Sequence, residues 1–167
     1  CSGSRVGSGE RSTEMKMNLL SGGRLKMRKS IYMPTENRDD MVELPVISIL
    51  LQHKSGNILY DTGCAPQAAS DPAARWGGLA KVMQPIFSPA DTVVNQLSKR
   101  GLFAEDIDVV ICSHLHPDHC GCNNAFKRAT IYAHRAELAA ARGEDADKQG
   151  YLPQDWDISQ GYTEIDE

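Results

Sequence analysis

The sequence has no excess of positive charge, no long apolar run and few cysteines. Its 18 Lys and Arg against 22 Asp and Glu give a formal net charge of −4, which leaves no basic footprint for nucleic acid. No stretch approaches the roughly 20 apolar residues of a membrane-spanning helix, and no signal-peptide pattern precedes the structured text. The five cysteines (Cys1, Cys64, Cys112, Cys120 and Cys122) are too few and too irregularly spaced for a disulfide framework. They read as reduced thiols in a cytoplasmic protein. What is present, 41% apolar and 24% charged residues in a chain of 167, is ordinary for one globular domain with a real core.

Residues 1–14 are polar, Gly/Ser-rich and aperiodic, and read as a disordered or vector-derived tail. From Met15 onward the text looks structured. "MKMNLL" is a candidate first strand with "SGG" as a turn after it. "VISILLQH" (Val46 to His53) and "ILY" flank the turn signal "KSGN" and predict a hairpin that ends at "DTG", Asp61 to Gly63. The stretch from Cys64 to Asp91 reads as a long irregular connection. "DTVVNQLSKRG" predicts a helix with Asp91 as N-cap and Gly101 just past its end. "DVVIC" (Asp108 to Cys112) predicts a strand buried on both faces. "ATIYAH" predicts a further strand, "RAELAAAR" a helix ending at Gly143, and Gly161 to Ile165 a last weak strand. The order suggests a layered α/β domain.

Histidine is concentrated in one place. "SHLHPDHCGCN", Ser113 to Asn123, holds three of the five histidines, directly after the apolar strand "DVVIC". Ligand sites in α/β sheets favour the carboxyl ends of strands. His114 and His116 are two apart, so in extended backbone both imidazoles point the same way and can reach one metal. Asp118 and His119 lie beyond Pro117, where the chain should bend toward a helix, and face a second point. Imidazole and carboxylate together suit zinc, with iron or manganese as alternatives. Cys120-Gly-Cys122 lacks a second cysteine pair, so small residues packing beside the site are the favoured reading. Cys112 reads as a buried strand residue and Cys64 as a loop thiol. His53 and His134 read as surface or capping histidines. Asp61, at a strand end before Thr-Gly, is either a turn residue or the carboxylate that orients a metal-bound imidazole.

"HLHPDH", His114 to His119, together with the upstream "DTG", resembles the signature of the metallo-β-lactamase superfamily. "MKMNLLSGGRLKMRKSIYMP", "ELPVISILLQHKSGNILYDTGCAP" and "RWGGLAKV" followed by "SHLHPDHCGCNNAF" resemble its N-acyl homoserine lactonase branch, the quorum-quenching lactonases. The resemblance spans Met15 to Glu167 and tips Asp61 toward the orienting role. It implies an α/β/β/α sandwich, of which residues 15–167 are expected to be the N-terminal half: a mixed sheet with flanking helices. It also implies two zinc ions, the first on His114 and His116 and the second on Asp118 and His119. A hydroxide bridging the two metals would attack the lactone carbonyl, and Asp118 would carry the proton to the leaving oxygen. The partner is then a small-molecule ester or lactone, with no nucleic acid and no membrane; a homodimer is in keeping with the family. A thioesterase of the glyoxalase II type, a β-lactamase or a non-catalytic remnant are the alternatives. "RWGGLAKV" reads equally well as a wall of an acyl pocket or as a packed loop.

Two departures stand out. Cys122 occupies a position that is usually glycine in the family, which would strain it if φ there were positive. The later histidines, the bridging aspartate and the substrate-side tyrosine have no counterpart, since His134 is the last histidine. Two ligands per metal fall short of the three protein ligands of an open catalytic site, so weak zinc binding and low turnover are the expectation for this polypeptide. A half sandwich would also leave one sheet face uncovered.

Overall fold

The protein, seen in a computed structural model, is described for residues 14–31, 33, 37 and 39–166; all but the last residue of the expected tail lies outside them. The strands are β1 (Lys16–Arg28), β2 (Met41–His53), β3 (Gly56–Tyr60), β4 (Met83–Pro85), β5 (Val109–Ile111), β6 (Thr130–His134) and β7 (Thr163–Ile165). The helices are α1 (Pro66–Ser70), α2 (Pro72–Trp76), α3 (Val93–Ser98), α4 (Pro117–Cys120), α5 (Arg135–Ala141) and α6 (Pro153–Trp156). The strands form one mixed sheet in the order β4-β1-β2-β3-β5-β6-β7. The pairs from β4 to β3 are antiparallel and those from β3 to β7 parallel. The α/β architecture expected from the order of elements is present. No helix among the described residues is long and apolar enough to cross a membrane.

The "SGG" stretch is not a turn. It is a bulge inside β1: Ser21 pairs with Ile47 and Gly23 with Val46, so Gly22 is the extra residue. One extra residue inverts the alternation of a strand. Leu20 before the bulge and Leu25 and Met27 after it therefore all point inward and are buried. The hairpin from β2 to β3 forms as expected, with His53 opposite Gly56. The stretch from Cys64 to Asp91 is less irregular than its prolines suggest, for it contains α1, α2 and β4, and β4 pairs with β1.

The helix over residues 93–98 is capped by Thr92, not Asp91. Pro89 starts a separate 3-10 turn, in which the Asp91 carboxylate accepts from the backbone N–H and hydroxyl of Ser88. Asp91 is thus drawn back to close the preceding turn. Strand β5 lies centrally between β3 and β6, yet only Val110 is fully buried, while Val109 and Ile111 are half-buried. The expectation of burial on both faces fails because, among the described residues, the helices cover one face only. Leu20, Leu50, Leu59, Val110 and Ile131 pack on that face against Val93 and Leu97 of α3 and Leu138 of α5. On the other face Met17, Leu19, Ile47 and Tyr60 are exposed.

Candidate metal centre

The sheet order sets the position of the site. Strands β3 and β5 are parallel neighbours, so their carboxyl ends meet at one edge and the loop carrying Asp61 lies beside the one carrying Ser113. The backbone is tied across this edge: Asp61 N–H donates to Ile111 O at 2.9 Å and Thr62 N–H to His119 O at 2.7 Å. Thr62 Oγ donates to Asn123 Oδ1 at 2.8 Å, deep in the core. The "DTG" turn is pinched from both sides. A Cβ on Gly63 would sit 2.5 Å from the Gly22 Cα, and one on Gly121 would sit 2.4 Å from the Ala65 backbone nitrogen. The β1 bulge, the "DTG" turn and the histidine loop are packed so closely that side chains are excluded at these points.

His114 to His116 leave β5 in extended form, and Pro117 opens α4 with His116 as its N-cap residue. All three imidazoles and Asp118 gather at the mouth of the loop. The His114 ring lies between the other two, 4.8 Å from His116 and 4.0 Å from His119. His119 Nε2 lies 3.3 Å from Asp118 Oδ2. The sequence pattern suggests two separate pairs; in space the three rings are contiguous.

Each imidazole has one ring nitrogen held by an oxygen. Asp61 is buried and accepts three hydrogen bonds: from Ser113 N–H at 2.7 Å, from Ser113 Oγ at 2.7 Å and from His119 Nδ1 at 2.8 Å. Having given its proton to Asp61, Ser113 Oγ can only accept from His114 Nδ1, 2.9 Å away. His116 Nε2 lies 2.9 Å from the carbonyl oxygen of Gln149, so it must be the protonated nitrogen. The nitrogens left with lone pairs are then His114 Nε2 and His116 Nδ1, and His119 Nε2 is the atom turned to Asp118. Fixing one imidazole nitrogen through an outer oxygen is how proteins orient metal-binding histidines. The positive φ of Asp61, 56°, marks it as a turn residue, and the same residue's carboxylate orients the His119 ring.

The electrostatics suit a cation. Burial disfavours the charged form of His119, but the hydrogen bonds it donates to Asp118 and Asp61 outweigh this and hold its pKa up at about 9. Burial raises Asp118, yet His119 more than offsets this and its carboxyl is held below the usual range. Burial, then the neighbouring His119 and His116, push His114 down. The donor set, three imidazoles and a carboxylate, fits a first-row divalent metal in kind. Among the described residues no three His, Cys, Asp or Glu side chains are grouped closely enough to hold an ion by themselves.

The weaker sequence candidates fall into structural places. Cys112, Cys120 and Cys122 are buried free thiols, and so is Cys64, which the sequence suggested only as a loop thiol. Burial pushes Cys112 and Cys122 up to about 12. Cys122 has φ −101°, so the strain expected of it is absent. His53 accepts from Ser55 N–H and His134 caps α5 by accepting from Ala136 N–H. In "RWGGLAKV", Trp76 is in the core and Arg75 pairs with Asp155. Ser113, Gln149, Glu137 and Tyr151 around the histidines were not apparent as site residues; only Ser113, inside the quoted stretch, had a signal in sequence.

The profile of the Metallo-beta-lactamase superfamily matches residues 41–154. The chain is 33% identical over 147 residues to the N-acyl homoserine lactonase AttM of Agrobacterium fabrum (strain C58 / ATCC 33970), covering 87% of this chain and 56% of that one. It is 33% identical over 156 residues to an N-acyl homoserine lactonase of Bacillus cereus, covering 92% and 62%. This chain thus spans little more than half the length of these relatives. Among solved structures, an N-acyl homoserine lactone hydrolase with N-hexanoyl-L-homoserine bound at its catalytic metal centre superposes with a TM-score of 0.78 at 28% identity, covering 90% of this chain and 59% of that one. The dizinc quorum-quenching lactonase AidC shares the fold at 22% identity with a TM-score of 0.59, covering 82% and 48%. The profile match over residues 41–154 and the fold shared with these structures place this chain in the metallo-β-lactamase superfamily.

Proposed function

We propose that this chain carries the first half of a dinuclear metal site that opens the ring of N-acyl homoserine lactones. The observation that carries the reading is the set of outer hydrogen bonds at His114, His116 and His119, which fixes one nitrogen of each ring and leaves the other for a ligand. The names of the relatives supply the substrate class. His114 Nε2 and His116 Nδ1 serve one ion; Asp118 and His119 Nε2 serve the other. Zinc is the first choice, with iron or manganese accepting the same donors.

Bound metal would supply water activated near neutral pH and would polarise the lactone carbonyl. The chain's own residues do the rest. Asp61, through Ser113 and His119, holds two of the rings in register. Asp118, whose carboxyl His119 holds below the usual range, would take the proton of the attacking water and hand it to the leaving ring oxygen. The substrate is a small molecule, in keeping with the formal net charge of −4.

The test is hydrolysis of N-hexanoyl homoserine lactone by the zinc-loaded protein, followed by acid release, beside a thioester and a β-lactam. Lactone opening that is lost in His116→Ala and Asp118→Asn is the expected result. Turnover of the thioester or β-lactam without the lactone would reassign the substrate within the superfamily.

A further inference from the structure

Two residues outside the histidine loop converge on His116. Glu137 lies in the first turn of α5, and its Oε1 accepts from the backbone N–H of Leu115 at 2.8 Å. Leu115 is the residue between His114 and His116, so this bond fixes the extended peptide that aims both rings. Tyr151 is buried, and its ring packs against His116 with centroids 4.8 Å apart and planes tilted by 46°. Burial and then the Glu137 carboxylate beside it push the Tyr151 phenol up to about 12.

Tyr151 also anchors the turn that carries Gln149. Its N–H donates to Ala146 O at 3.0 Å, and Gly150 N–H donates to Asp147 O at 3.1 Å. The Gln149 carbonyl, which takes the His116 Nε2 proton, is presented by this turn. Gln149 itself is exposed, so its place depends on the anchor and not on its own side chain. His116 is thereby held in backbone, in ring plane and in tautomer by the segment between residues 137 and 151.

We infer that Glu137 and Tyr151 form a brace that orients His116, with Nε2 protonated and Nδ1 free, and that they are positioning residues for the metal-binding role of that histidine. The inference rests on the proposed ligand role of His116, yet the brace can be tested without metal. Histidine side-chain nitrogen NMR of the metal-free 167-residue chain should show His116 as a single Nε2–H tautomer. Tyr151→Leu removes the ring packed against His116 and should give a mixture of tautomers. Glu137→Ala leaves the Leu115 N–H without its partner and should do the same, while Glu137→Gln keeps an acceptor and should restore the single tautomer.

Titration with cobalt(II), read by its visible absorption, supplies the second readout. Tyr151→Leu and Glu137→Ala should weaken binding by roughly 10- to 100-fold, the usual effect of losing an outer partner of a metal ligand, and Glu137→Gln should bind within about 3-fold of the parent. A purely structural role would lower the melting temperature but leave both the tautomer and the cobalt affinity of the folded variants unchanged, and that result would overturn the inference. Tautomer changes with no cobalt binding by the parent chain would keep the brace and sink the metal reading instead.

Discussion

The two faces of the sheet are built from similar residues and have opposite fates. Leu19 and Leu20 are neighbours in β1; Leu19 is 60% exposed and Leu20 only 2%. The same split continues across the sheet. Leu50, Leu59, Val110 and Ile131 lie under α3 and α5, while Ile47 and Tyr60 face outward. The outward set is as apolar as a core-facing set, which sequence alone cannot distinguish from it. An apolar face becomes a core only when another layer lies on it. Here the strand pattern calls for two layers and the described residues supply one.

The largest effect should come from the covered face. Leu20→Ala should cost about 3 kcal/mol, by lost transfer energy plus a cavity, whereas Leu19→Ala should stay within about 0.5 kcal/mol. Urea denaturation of the pair gives the comparison directly; equal losses would mean that the open face is packed in solution. Next comes Gly121→Ala, where the added Cβ would meet the Ala65 backbone at 2.4 Å. Overpacking of this kind should cost roughly 1–3 kcal/mol and should also blunt cobalt binding, because the histidine loop is displaced.

The covered side also holds a charge. Asp155 is buried and pairs with Arg75, and burial outweighs the arginine so that its pKa rises to about 6. An unfolded Asp titrates near about 4. The folded state therefore binds the proton more tightly, and the contribution of Asp155 is fully present below about pH 4 and is lost as the pH rises through about 6. The stability of the parent relative to Asp155→Asn should fall over that window; a flat difference would mean that Arg75 compensates the burial in full.

The smallest effect belongs to the open face. Tyr60→Ser should change stability by less than about 0.5 kcal/mol but lower self-association, since exposed apolar patches promote contact between copies. Sedimentation velocity reads this, and unchanged sedimentation across a concentration series would remove the face as a source of association.

Much of the site was legible in the sequence because its residues are close together in it. His114 to His119 and their place after an apolar strand need only local geometry. The strands and the helix of residues 135–141 follow from periodicity and capping. The "SGG" bulge was not legible, because a turn and a bulge share the same residues; the partner strand and the need to keep Leu25 on the face of Leu20 decide between them. The cap of α3 moved from Asp91 to Thr92 because the Ser88 turn took up the aspartate.

The sequence by itself determined the metal-capable loop, the β2–β3 hairpin and the absence of a disulfide framework. Only the tertiary structure decided which nitrogen of each histidine is free. That choice is made by Asp61, Ser113 and Gln149; Asp61 lies 58 residues from His119 and Gln149 33 residues from His116. A hydrogen bond has a direction and a length that chain spacing does not specify over such separations. The parallel pairing of β3 with β5 brings Asp61 to the histidine loop, and the anchored turn at Tyr151 brings Gln149.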